Sequence, residues 1–188
     1  MTEKTEKSPV IPTPEGRVSF PSVFTKSEYN GVEKYRITLL IPKDADISRL
    51  KADAARAAKG KWGDNLPANL RWPFGDGDTV EWEGHANHWF IRMTTDRKPV
   101  VVDKAHQELL NPEDIYGGCY ARVGVKAFAY DKMGNKGVGF GFVSVMKTGE
   151  GEPFTGAVDT EKIFGPPDTG ADDKDNYKEE NLDDLMGV

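Results

Sequence analysis

Residues 118–130 (Gly-Cys-Tyr-Ala-Arg-Val-Gly-Val-Lys-Ala-Phe-Ala-Tyr) separate into two unlike sets when every second residue is read. Cys119, Ala121, Val123, Val125, Ala127 and Ala129 are small and apolar. Tyr120, Arg122, Lys126, Phe128 and Tyr130, with Gly124 among them, are ring-bearing, cationic or bare. A strand sends alternate side chains to opposite faces, so the first set reads as a slim core stripe and the second as a surface. Rings interleaved with positive charge stack flat heterocycles and neutralise phosphates, which is the chemistry that holds an unpaired polynucleotide. Exposed strands also carry Tyr, Phe, Arg and Lys for propensity and solubility alone. One such strand therefore decides little.

The pattern recurs. Residues 33–41 alternate with Tyr35, Ile37, Leu39 and Ile41 on one face and Lys34, Arg36 and Thr38 on the other, Leu40 being the exception. Residues 88–95 put Trp89, Ile91 and Met93 on one face and His88, Phe90 and Arg92 on the other. The candidate binding residues are therefore Tyr120, Arg122, Lys126, Phe128, Tyr130, Lys34, Arg36, Phe90 and Arg92, expected to form one continuous track. Nothing among them resembles a fixed donor–acceptor code, so slight sequence preference is expected.

These strands need others to hold them. Residues 17–25 read as a first strand, with Pro21 marking an edge or bulge, and Asn30-Gly31 is a hairpin turn signal. Pro42 stops the second strand. Asp44 or Asp46 can cap a helix over 47–61, where Ile47, Leu50, Ala54, Ala57 and Ala58 recur at helical spacing; the helix is expected to cover an open side of the sheet. Residues 62–82 are loop-rich, and Trp62, Trp72 and Trp82 are expected to plug gaps beneath it. Residues 99–102 extend the sheet and 103–117 form an irregular link. Residues 131–137 turn the chain, with Lys132 and Lys136 at the tip, and 138–146 run back as the last strand. Gly137, Gly139 and Gly141 leave one face of that strand bare for curvature or close approach of another backbone. Five or so strands, one helix and long loops give a mostly β fold. A five-stranded OB-type barrel fits best, and a two-sheet sandwich is the alternative.

The 188 residues allow one domain with appendages. An N-terminal arm over 1–15, a binding domain over 16–147, a Gly/Pro-rich linker over 148–171 and an acidic tail over 172–188 are expected. The tail matters to the electrostatics. It holds seven acids (Asp172, Asp173, Asp175, Glu179, Glu180, Asp183 and Asp184) against two lysines, so residues 1–171 keep only −1 of the chain's −6. Overall acidity thus says little about the field of the body. Cys119, the single cysteine, falls on the core stripe and reads as a small buried hydrophobe in a reducing compartment. No apolar run reaches membrane-spanning length and Met1-Thr2-Glu3-Lys4 holds no signal-peptide core, so a soluble cytoplasmic protein is expected.

Catalysis finds no constellation. His85, His88 and His106 are scattered, Cys119 lies on the core face, and Glu81, Glu83 and Asp103 form no recognisable set. Asp76 and Asp78 lack the fuller ladder and closing Glu of a calcium loop. No enzyme, cofactor or metal is expected, and a nuclease is the weaker rival. A structural or interaction β-domain, from a virion or binding oligosaccharide, is the stronger one, since folds of this kind carry many functions.

Three blocks carry a resemblance: Asn-Pro-Glu-Asp-Ile-Tyr-Gly-Gly-Cys-Tyr-Ala-Arg at 111–122, Gly-Asn-Lys-Gly-Val-Gly-Phe-Gly-Phe at 134–142 and Gly-Glu-Pro-Phe at 151–154. Together they resemble a family of bacteriophage single-stranded DNA-binding proteins, over roughly residues 15–160. The resemblance implies an OB fold and a role in phage DNA replication, recombination or repair inside the infected cell. It also implies a C-terminal tail that competes with DNA for the groove and recruits replication or recombination proteins. Leu185 and Met186 close this tail with Gly187 and Val188, where the familiar bacterial tail closes in Pro-Phe, so its partner is expected to differ. Monomer and dimer both remain open.

Overall fold

The computed structural model describes residues 9–154, all within the first of the chain's two compact units, Met1–Gly156. Eight strands and one helix follow in order: β1 (Ile11–Pro12), β2 (Gly16–Tyr29), β3 (Val32–Pro42), α1 (Ser48–Trp62), β4 (Phe74–Asp76), β5 (His88–Thr95), β6 (Val100–Val102), β7 (Tyr120–Lys132) and β8 (Asn135–Gly149). The β2–β3 hairpin turns at Asn30 and Gly31, whose φ of 52° and 76° are those of the left-handed turn that Asn-Gly favours. β3 continues antiparallel to β5 from Tyr35–Thr95 to Pro42–His88. β5 then meets β8 in parallel at Met93–Phe140, β8 returns along β7, and β7 pairs with the start of β2 at Gly16–Ala121 and Arg17–Tyr120. Strands β2, β3, β5, β8 and β7 thus close into the five-stranded barrel expected.

Closure needs bending, and the bends have sources. The β2–β3 register slips between Ser19 and Ser22, around Pro21, and again before Ser27. On β8 the register against β7 slips between Ser144 and Phe142, bulging Val143 outward. Inside lie Val18, Ile37, Leu39, Ile41, Ile91, Met93, Val123, Val125, Phe140 and Phe142, all 2% exposed or less. Ala121 and Ala127, small by design of the stripe, make room for a neighbour. Helix α1 packs there, on β7 and β8, and buries Leu50, Ala54 and Ala58. Asp46 accepts from the Ser48 N–H at 2.9 Å just ahead of its first turn. The cap position itself is taken by Ile47, which offers no side-chain bond, so neither Asp44 nor Asp46 is the cap expected. Buried Asp53 reaches the barrel itself: one carboxylate oxygen accepts the Ala127 N–H at 3.1 Å and the other is held by Arg56. The helix therefore satisfies a backbone donor on the edge of β7.

Three further expectations change. The arm over 1–15 gives way within its described part to β1, which pairs with Val125 and Gly124 of β7; Ile11 and Thr13 are buried, and the Thr13 N–H donates to Val123 O at 2.9 Å. An isoleucine and a threonine that fill a strand edge repay ordering that the flanking prolines do not predict. The linker over 148–171 likewise begins as structure. Thr148 and Gly149 end β8, and Phe154 donates its N–H to Gly117 O at 2.9 Å. The turn over 131–137 shrinks to Met133-Gly134, both with positive φ, so β7 ends two residues later and β8 begins three residues earlier than their patterns indicated. Residues 1–8, the linker from 155 and the tail over 172–188 lie outside the described residues.

The Asp53 contact sets a stability test. Asp53→Ala should lower unfolding free energy by about 1–3 kcal/mol, because the Ala127 donor would be left buried without an acceptor. Asp53→Asn, which keeps an acceptor, should lose less. Urea unfolding followed by circular dichroism measures both.

Candidate nucleic-acid interface

β8 decides the shape of the outer surface. Val138, Phe140 and Phe142 point inward and are buried, so Gly137, Gly139 and Gly141 face outward with no side chain. In register with them on β7 stand Tyr130, Phe128 and Lys126. The two rings lean over the glycines: a Cβ on Gly139 would stand 2.7 Å from Phe128 Cζ, and one on Gly137 would stand 2.4 Å from the Tyr130 hydroxyl. The same two rings lie 6.3 Å apart at 48°, and Phe128 is 44% exposed. Gly141 is open, its nearest neighbour across the strand being Thr94 O at 3.6 Å.

Two rows of side chains cross this bare strip. The Met93–Phe140 register sets Arg92 beside Gly139 and Thr94 beside Gly141, and β3 adds Thr38 and Arg36 opposite them. One row reads Phe128, Gly139, Arg92, Thr38; the next reads Lys126, Gly141, Thr94, Arg36. At a strand spacing of about 4.8 Å, the outer members of a row stand about 14 Å apart. A groove of about 360 Å³ opens beside Gly141 at the β7 side of the strip, lined by Thr95, Lys126, Ala127, Phe128, Phe142 and Val143. Lys126 has no acidic partner among the described residues. Four expected residues thus meet: Lys126, Phe128, Tyr130 and Arg92. Arg36 ends the second row in register, but its guanidinium turns toward the hairpin, donating to Val32 O at 3.0 Å and lying 5.6 Å from the Tyr29 ring.

The other four do not. Arg122 is tied by its Nε to Thr13 O at 3.0 Å, on the segment that β1 brings alongside. Tyr120 lies at the far end of β7, about 26 Å along the strand from Phe128, with its ring against Gly151. Lys34 sits at the hairpin end of β3 with Asp96 3.8 Å away. Phe90 points outward but is overlaid by the loop after β4: its ring lies 5.9 Å from Trp82 and 5.6 Å from His85, and Gly75 lies beneath it. The single track divides because one strand's polar face is long enough to span several neighbours. β1 covers its middle, and the C-terminal segment of the domain reaches its start.

The loop supplies what the pattern missed. Trp82 and Trp72 are half exposed instead of plugging gaps, whereas Trp62 does pack against the core. Phe20, Trp82, His85 and Phe90 form an aromatic cluster, and the Arg92 guanidinium lies 5.3 Å from Trp82 and 5.2 Å from Phe90. Leu40, the residue out of step on β3, is fully buried beside Phe90 in register. That misstep was the one sequence sign of a covered outer patch.

Ion pairs fix the surrounding loops. Lys43 lies 2.7 Å from Asp76 and 2.5 Å from Asp78, and Asp78 also accepts the Asn87 N–H at 2.7 Å. These bonds hold the Lys43 ammonium above its ordinary value and both carboxyls below theirs. The two aspartates therefore close the loop on a lysine. At the domain's C-terminal end Glu150 is bound by Lys147 and the Tyr116 hydroxyl, each at 2.5 Å, which holds its carboxyl low. Arg17 donates to Gly118 O at 3.0 Å and Glu152 O at 2.5 Å and covers the Phe154 ring. Burial pushes the Cys119 thiol up, which keeps it an inert hydrophobe. No group of three or more His, Cys, Asp or Glu able to hold a metal occurs among the described residues, and no described helix is long and apolar enough to cross a membrane.

A family model described as the Enterobacter phage Enc34 ssDNA-binding protein matches residues 9–177. Putative protein p50 of Acyrthosiphon pisum secondary endosymbiont phage 1 is 29% identical over 154 residues, covering 74% of this chain and 83% of that protein. The solved structure of the single-stranded DNA-binding protein from bacteriophage Enc34 is 27% identical, with a TM-score of 0.66 over 82% of this chain and 89% of that one. The same phage protein in complex with ssDNA is 25% identical, with a TM-score of 0.65 over 80% and 99% of the two chains. Bacteriophage T7 gp2.5, 16% identical with a TM-score of 0.58 over 85% and 99%, shares the fold.

The bare strip makes a contrast that stability measurements can read. Gly139→Ala should destabilise by about 1–3 kcal/mol through the clash with Phe128, while Gly141→Ala should stay within about 0.5 kcal/mol of the parent. Equal midpoints for the two in urea would contradict the ring-on-glycine packing.

Proposed function

The chain belongs to the family of the Enterobacter phage Enc34 ssDNA-binding protein, and on that footing we propose that it binds single-stranded DNA across the glycine-floored groove of β7, β8, β5 and β3. The observation that carries this reading is the pair of rows in which Phe128 and Lys126 face Arg92 over side-chain-free Gly139 and Gly141. A flat floor admits bases edge to edge, exposed rings supply stacking faces, and the flanking cations meet phosphates on both sides. The second and third strands of an OB barrel and the loop joining its fourth and fifth are where oligonucleotides bind in this fold. Here those are β3, β5 and the Met133-Gly134 tip with Lys132 and Lys136 beside it. The reading is of a sequence-tolerant binder without catalysis, acting on phage DNA in replication, recombination or repair in the cytoplasm of the infected cell. Tyr120, Arg122, Lys34 and Phe90 take a secondary part, as flanking contacts on a longer strand.

The tail has its own part in the proposal. Residues 172–188 hold seven of the chain's 31 acidic residues. A tethered polyanion has a high effective concentration at any basic groove on the same chain. It competes with DNA there when DNA is scarce, and its closing Leu182, Leu185 and Met186 dock replication or recombination proteins when DNA displaces it.

Filter binding or anisotropy titration with a labelled single strand tests the groove. Phe128→Ala should weaken binding by about 1–3 kcal/mol. Lys126→Ala should reduce the slope of log K against log salt by about 0.7. Tyr120→Ala should cost less than Phe128→Ala. Removal of residues 172–188 should tighten binding at low salt and change little at high salt, and an unchanged low-salt affinity would remove the tail from the mechanism.

A further inference from the structure

The aromatic cluster beyond Arg92 has two features that core packing does not account for. Phe20 adopts a φ of 47°, in the left-handed region where a bulky aromatic is strained, and its ring remains 61% exposed. That ring meets Trp82 edge-on at 5.7 Å and 83°, and Trp82 is itself 41% exposed. Beneath them His85 is fully buried. Its Nδ1 lies 3.0 Å from Glu83 O and donates to it, so in the neutral ring Nε2 carries the lone pair. Nε2 is buried with no hydrogen-bond partner, among the rings of Phe20, Trp82 and Phe90 at 6.1, 5.3 and 5.6 Å. A buried acceptor enclosed by hydrocarbon is unfavourable unless something donates to it.

We propose that Phe20 is a movable cover over a slot for one DNA base, which stacks on Trp82 and donates its exocyclic amino group to His85 Nε2. The inference rests on the single-stranded DNA reading and adds base discrimination to it. A base with an amino group on its pairing edge fits; thymine, which puts a carbonyl oxygen where cytosine has its amino group, meets a lone pair instead. The Phe20 ring, largely exposed, can swing aside about its side-chain torsions, and Arg92, in cation–π distance of Trp82, holds the phosphate of the inserted nucleotide. The loop that carries His85 is braced for such a role: the Lys43–Asp78–Asn87 bonds fix it, and Gly77 lets the His85 carbonyl approach to where a Cβ would stand 1.9 Å from it.

Dissociation constants of the full chain for oligo-dC and oligo-dT of equal length test the slot. The parent should favour dC by about three- to tenfold, the worth of one hydrogen bond. His85→Asn keeps a side-chain amide to donate to Glu83 O but has no Nε2, and should bring the ratio to near one while dT affinity holds. Phe20→Gly, which suits the backbone and removes the cover, should retain the dC preference. A parent ratio near one, or a ratio that His85→Asn leaves unchanged, overturns the slot and leaves the groove standing. Failure of the parent to bind either oligonucleotide overturns both.

Discussion

The contact on which the surface depends is that of two aromatic rings lying on a strand with no side chains of its own. Gly137 and Gly139 let Tyr130 and Phe128 lean across β8, and the next glycine outward, Gly141, stays open. The same strand points Val138, Phe140 and Phe142 into the barrel. A single alternation of large and bare residues thus builds the core on one side and the groove on the other. A β-branched residue at any of the three outward glycines would raise a wall between β7 and β5. It would part Phe128 and Lys126 from Arg92.

Rigidity around this floor comes from polar contacts of modest individual worth. Asp53 ties α1 to the β7 backbone, Arg17 clasps the C-terminal segment of the domain, and Lys43 closes the loop after β4 between two aspartates. The exposed pairs of Lys43 contribute little to global stability, whereas the buried Asp53 bond contributes more. Their effect is positional: each fixes an irregular segment against the barrel at a place where hydrophobic packing is thin. The cations of the groove are treated differently. Lys126 has no acidic partner among the described residues, and Arg92 rests on rings instead of carboxylates, so both remain available to phosphate.

Much of the architecture was legible in the chain because its signals are local. Asn30-Gly31 marks a hairpin, residues 88–95 alternate cleanly enough to give β5 its bounds, and the helix appears one residue from its expected place. The ring-and-cation pattern on β7 identified a surface correctly but treated it as uniform. What divided it were contacts from distant sequence: Thr13 holding Arg122, and the loop after β4 laid over Phe90. Alternation reports which face a residue is on, and cannot report what else is folded onto that face. Leu40 was the exception to its strand's pattern and marked the covered patch, and Phe20 gave no sign at all, since its strain arises from a bulge.

The central claim is that an unpaired strand crosses the glycine floor between β7 and β5. Photo-cross-linking with a single strand carrying 5-iododeoxyuridine, followed by peptide mapping, tests it most directly. Adducts should concentrate on Phe128 and Tyr130. Adducts confined to Tyr120 and the surface of α1 would contradict it.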